Sequence, residues 1–195
     1  MREAYFHEDD YGQIQVLPIS NWNYCLSELK KIGEFSDEHF DGMGWTDIYI
    51  RDENPHGLAS LNINTKDLAS ILGKTLAPYD KVLTGYSTYR EEAKRTLAFG
   101  SETSCIVFVG YESNNIVEEI WLDFGISTQK DRELAVNGLL NLGSLGETFL
   151  VDWSLGDMMK LSDKDKIMSY FDLREKSRTH ALRAMRQYFD DQEKK

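Results

Sequence analysis

The sequence has little with which to do covalent or metal chemistry. Only two cysteines, Cys25 and Cys105, occur in 195 residues, far apart and each among apolar neighbours. That count excludes a disulfide framework and any CxxC metal site, and buried free thiols are expected. Three prolines and fourteen glycines leave no low-complexity linker, and no internal repeat is visible. No apolar run approaches the roughly 20 residues needed to span a bilayer. The acidic start MREAYFHEDDYG lacks the basic end and apolar middle of a signal peptide, so a cytoplasmic location is expected. HExxH, HxH and EF-hand spacings are absent, as is a GxSxG elbow. The segments Gly42-Met43-Gly44 and Gly85-Tyr86-Ser87-Thr88 carry neither a Walker lysine nor a GxGxxG pattern. No catalytic residue, metal or cofactor is assigned.

What the chain has in quantity is acid. Its formal net charge is -11, and residues 1–60 hold twelve acidic and four basic side chains. Residues 162–195 reverse the balance, with seven acids and nine bases. The overall surface repels nucleic acid and anionic membrane and attracts basic proteins. Rings accompany the loop acids in the most acidic third. Tyr5, Phe6 and Tyr11 bracket His7-Glu8-Asp9-Asp10, while Phe35, Phe40 and Trp45 bracket Asp37, Glu38 and Asp41. Aromatics supply buried area at an interface and carboxylates supply steering. A surface comprising Glu8, Asp9, Asp10, Tyr11, Asp37, Glu38, Asp41, Trp45, Asp52 and Glu53 is therefore expected to engage a basic protein partner. Trp45 or Tyr11 would be its anchor. Ordinary solubility charge is the plain alternative.

Two other classes stay open. Glu118, Glu119 and Asp123 would serve a small carboxylate-dependent hydrolase, with or without a metal, if a cleft gathered them. An adaptor subunit of a larger assembly is the third. The segment LREKSRTHALRAMRQYF carries Arg174, Lys176, Arg178, Arg183 and Arg186 among aromatics, one feature of RNA-binding helices. The acidity of the chain favours a packed or partner-facing amphipathic helix instead, with Leu182, Met185 and Phe189 inward.

The clearest fold signal is the stretch Ser104–Phe124, two apolar runs about a polar Glu112–Asn115 turn, which reads as a hairpin. Its first run is apolar on both faces, as in a covered central strand. Strands are also expected over Gly12–Pro18, Thr46–Arg51 (Ile48 and Ile50 inward), Lys81–Tyr86 and Glu147–Trp153. Helices are expected from Ser20 or Asn21 to Ile32 with Gly33 as the stop, over Thr65–Gly73, Tyr89–Phe99 and Lys130–Leu142, and from Ser162 onward with a break near Ser177. Residues 190–195 are expected to fray. Hairpins and isolated strands without repeated βαβ units give an α+β domain spanning 1–195. It would be a largely antiparallel sheet with helices packed on one face and a C-terminal amphipathic helix.

The small acidic α+β format, with YFHEDDYGQIQVLP near the start and LGSLGETFLVDWSLGDMMKLSDKDKIMSYF near the end, resembles the bacterial immunity proteins of polymorphic-toxin systems. Membership would imply a protein that binds and neutralises one cognate toxin, often by plugging a basic nuclease cleft. Such families vary their toxin-facing surface, so the resemblance transfers no functional residue.

Overall fold

Alternation of side chains along the strands explains how one sheet serves three cores. In the computed structural model, strands β2 (Ile14–Pro18), β5 (Thr96–Ser101), β6 (Cys105–Tyr111), β7 (Val117–Asp123), β8 (Thr148–Asp152) and β9 (Asp157–Lys160) form one sheet. Their order is β5-β6-β7-β2-β8-β9, and every pairing is antiparallel. Strands β1 (Glu3–His7), β3 (Lys81–Gly85) and β4 (Glu91–Glu92) form a second, smaller sheet in which β1 and β3 are parallel. The structure describes residues 1–193 apart from Met43 and Ser87, with side chains as far as Thr179.

Successive residues of a strand face opposite sides, and the burial follows that rule. Val107, Val109, Ile120, Leu122, Leu150 and Met159 enter the main core. There they meet helices α2 (Thr65–Leu72), α3 (Gln129–Gly143) and α4 (Lys164–Glu193). On the opposite face Ile106, Phe108 and Trp121 pack under the small sheet through Ala4 and Val82. Leu17, Phe149, Val151 and Met158 on that face meet helix α1 (Trp22–His39) through Trp22, Cys25 and Leu29. Each fully buried Leu or Phe contributes about 2 kcal/mol by leaving water. The molecule is thus α+β, with three helices on one face and α1 beside the small sheet on the other.

Local chemistry sets the helix ends. Asn64 caps α2 by accepting from Lys66 N at 2.9 Å. Thr128 and Asp131 close a reciprocal capping box on α3. The expected Ser162 cap is replaced by Asp163, whose Oδ1 accepts from Lys166 N at 3.0 Å. Gly143 lets α3 close on the chain before α4, since a Cβ there would lie 2.6 Å from the Leu161 carbonyl oxygen.

Four expectations are corrected. Helix α1 runs past Gly33 to His39, because Phe35 stacks on His39 at 3.9 Å and meets Tyr49 edge-on at 5.4 Å. Those contacts outweigh the roughly 1 kcal/mol that a helical glycine costs. Residues 89–99 form β4 and the start of β5 rather than a helix, as Ala98 and Phe99 enter opposite cores beside β6. Residues 46–51 belong to no strand, and Ile48 and Ile50 face outward. Helix α4 continues through Ser177 without a break. The expected inward positions Leu182, Met185 and Phe189, and the outer Arg183 and Arg186, lie outside the described side chains; of the residues expected to fray, 190–193 continue α4, and 194 and 195 lie outside the described residues.

A buried polar knot ties α4 to the sheet. Asp152, at the end of β8, has 0% exposure. Its Oδ2 accepts from Tyr170 Oη at 2.7 Å and from Arg174 Nη1 at 2.5 Å. Its Oδ1 accepts from Ser154 Oγ at 2.7 Å and Leu155 N at 2.9 Å. All the acceptor capacity of a buried carboxylate is engaged, which is what makes its burial tolerable.

Candidate functional site

The acids that the sequence marks out lie on two separately anchored stretches. Glu8, Asp9 and Asp10 form an exposed 3-10 turn between β1 and β2. His7 precedes that turn, accepting from Asp9 N and lying 3.5 Å from the Asp9 carboxylate. Tyr11 closes it: its hydroxyl donates to Glu119 on β7, and its ring meets Trp121 edge-on at 5.0 Å. Burial, and then the Glu119 carboxylate, push the Tyr11 phenol well above its ordinary value. Tyr11 is 45% exposed, so it is partly committed to its own sheet.

The second stretch is the end of α1 and the segment that follows. Asp37 and Glu38 are exposed on the last turn of α1. Phe40 and Trp45 then face each other across a tight reversal, with ring centroids 5.6 Å apart. Asp41 closes that reversal by accepting from Gly44 N at 2.9 Å. Trp45 donates its ring N–H to Ser36 Oγ at 2.6 Å, yet remains 66% exposed.

After bends at Thr46 and Asp47, burial alternates from Ile48 to Arg51. The inward residues are Tyr49 and Arg51. Tyr49 donates to Glu28 at 3.0 Å, and Arg51 lies over the Trp153 ring at 3.9 Å and reaches Gln15 Oε1 at 3.4 Å. Glu28 is itself buried on α1 and bonded to Lys31 at 2.5 Å, and that ammonium holds its carboxyl below the usual range. Tyr24 donates to the Asp52 carbonyl, and Asn21 exchanges two hydrogen bonds with the His56 backbone. The outward residues are Ile48 and Ile50, exposed at 81% and 87%, with Asp47, Asp52 and Glu53 exposed beside them in sequence.

The expected alternation is therefore real, but its sides are exchanged. A shift of one residue moves every side chain to the other face. The waiting surface here is polar (Glu28, Gln15 and the face of Trp153), so Tyr49 and Arg51 suit it better than isoleucine. Ile48 and Ile50 join Phe40 and Trp45 as exposed apolar residues within one short acidic stretch, the two isoleucines being the residues the sequence reading missed.

The carboxylates weighed for hydrolysis do not converge. Glu118 and Glu119 are successive strand residues. Glu119 receives Tyr11, while Glu118 is raised chiefly by hydrogen bonding with Glu112. Asp123 is raised by burial and then by the Asp10 charge. Among the described residues no group of three or more His, Cys, Asp or Glu gathers as a metal site. Both thiols are buried, which pushes Cys25 up to about 11 and Cys105 up to about 12. Thiolate at neutral pH is correspondingly scarce. Among the described residues no helix is long and apolar enough to cross a membrane. No family model, no curated protein and no solved structure matches the chain.

Proposed function

We propose that the chain is a non-enzymatic binding protein that docks a basic protein partner through residues 37–53, in the manner of an immunity or antitoxin-type inhibitor. The observation that carries this reading is the outward pair Ile48 and Ile50, set with Phe40 and Trp45 among Asp37, Glu38, Asp41, Asp47, Asp52 and Glu53. Exposed apolar groups of this size mark interaction surfaces when they occur together. The acids select a partner of opposite charge and accelerate its approach. Glu8, Asp9 and Asp10 add to the same long-range field. The acidic format shared with polymorphic-toxin immunity proteins supports the inhibitor class.

The test begins with tagged protein in its native host, washed at low and then high salt, and mass spectrometry of what remains bound. The expected partner is basic, kills cells when expressed alone, and is neutralised by this chain. Its association rate should fall about tenfold or more between low and high salt. Neutralising Asp37, Glu38, Asp41, Asp52 and Glu53 together should slow association, and Trp45→Ala should speed dissociation. A partner bound equally well by these variants would place the interface elsewhere. A stable hetero-complex with no toxin neutralisation would make the chain an adaptor.

A further inference from the structure

At the far side of the main core, a cleft of about 760 Å3 opens where the end of β7, the start of α3, the turn after β8 and the middle of α4 meet. Phe124, Ile126, Leu155 and Phe171 give it an apolar lining, and three arginines share it: Arg132, Arg174 and Arg178. This volume falls within the roughly 300–1,000 Å3 of small-molecule sites. Three guanidiniums thus gather in one concavity of a chain whose net charge is -11.

An account of its hydrogen-bond donors narrows the chemistry. Among the described residues, four of the five hydroxyl side chains lining the cleft already give their protons to the protein. Ser127 and Thr128 donate to Asp131 at 3.0 and 2.7 Å. Ser154 donates to Asp152 at 2.7 Å and Thr179 to the Glu175 carbonyl at 2.8 Å. Besides the Ser177 hydroxyl and one Gln129 amide proton, the spare side-chain donors among the described residues are guanidinium N–H groups. Arg174 uses Nη1 on Asp152, leaving its other nitrogens. Arg132 uses Nη2 on the Met168 carbonyl and Asp172, and its Nε is buried without a partner. Arg178 makes no ion pair or hydrogen bond among the described residues. Among the described residues Glu175 is the one carboxylate lining the cleft.

The geometry points to a binding site for a phosphate monoester carried on an aromatic body. Asp152 and Asp172 pair with Arg174 and Arg132, so the attraction for a phosphate rests on the unused guanidinium N–H groups rather than on net charge. Planar guanidiniums suit phosphate oxygens through paired N–H bonds. The aromatic body would lie against the apolar lining of Phe124, Ile126, Leu155 and Phe171. Inorganic phosphate alone would leave most of the cleft unfilled.

Calorimetric titration of the full chain tests this with phenyl phosphate, adenosine monophosphate, inorganic phosphate and phenol as probes. The expected result is saturable, one-to-one binding of at least one of the two aromatic phosphates. Its affinity should exceed that of inorganic phosphate at least tenfold, with no measurable binding of phenol. Arg178→Ala should weaken that binding at least tenfold, and Arg178→Lys should restore part of it. Arg90→Ala, at a surface arginine packed on Tyr5, should leave binding unchanged. Because Arg178 is exposed, unfolding midpoints of its variants should equal that of the parent chain. Failure of both aromatic phosphates to bind, equal affinity in Arg178→Ala, or equal loss in Arg90→Ala would each overturn the site.

Discussion

The Asp152 end of the sheet and the segment 37–53 place charge in opposite ways. Asp152 and Arg174 are held inside a finished framework. One strand end and one helix supply the pair, Tyr170 and a turn complete it, and each group is oriented by at least two others. In segment 37–53 the polar residues Tyr49 and Arg51 face the protein, and the acids and isoleucines face water. Buried charge at the first region serves the architecture and gives the neighbouring cleft a defined shape. Exposed charge at the second costs the fold nearly nothing, so it is free to serve an encounter. The difference separates groups whose removal should unfold the molecule from groups whose removal should pass unnoticed until a partner arrives.

The largest effect is expected at the first region. Asp152→Ala removes four hydrogen bonds and leaves Arg174 without its partner in a mostly buried position. Breaking one side of such a pair costs about 3 kcal/mol, or roughly 6–10 °C in melting temperature for a domain of this size. Urea denaturation with constant slope would report it. A loss under about 1 kcal/mol would mean that water replaces the carboxylate easily, and the contrast between the two regions would narrow.

A smaller effect is expected where the second region touches β2 and the residue after β8. Arg51→Ala removes the cation–π contact with Trp153 and the reach to Gln15, worth about 1 kcal/mol. Because the change acts locally, amide exchange over residues 47–57 should accelerate about fivefold while β6 and β7 stay protected. Uniform acceleration across the sheet would show instead that the segment is part of the cooperative core.

The pH dependence offers a third comparison. Hydrogen bonds from Thr128, then Ser127, hold the Asp131 carboxyl below its ordinary value of 3.8. A carboxyl lowered in the folded state stabilises the fold above its unfolded value, and that contribution fades as pH falls through the folded one. Asp131→Asn should therefore lower the melting temperature at neutral pH, and the gap from the parent chain should close as pH drops below about 4. Asp123 has the opposite sign, since burial raises it. Asp123→Asn should stabilise at neutral pH, with the gain shrinking in acid. A gap independent of pH at either position would remove the ionisation from the explanation.

Sequence patterning reached most of the framework, for a physical reason. The Ser104–Phe124 hairpin, β2, β8, α2 and α3 are each specified by their own apolar period and turn chemistry, and they are present. Thr46–Arg51 has the right period and the wrong face, because the period does not say that the surface beneath is Glu28, Gln15 and Trp153. Residues 89–99 fit either period, and only the open edge of β6 selects a strand. The arginine cleft was half visible as the basic run around Arg174 and Arg178. Arg132, and the Asp152 carboxylate that anchors Arg174, lie far off in sequence and meet these residues only through the fold.

The smallest stability effect is expected for Ile48→Ser with Ile50→Ser. At 81% and 87% exposure, neither side chain has burial to lose, so the unfolding free energy should move by no more than about 0.5 kcal/mol. That near-zero is the informative result beside the Asp152 variant. Two isoleucines kept in water carry an apolar surface that the fold does not need, and their replacement should be felt only as faster dissociation of the basic partner. A stability loss above about 1 kcal/mol would mean that the isoleucines pack against the protein in solution. The outward face would then be Tyr49 and Arg51, as the alternation first suggests, and residues 37–53 would lose their claim to be the docking surface.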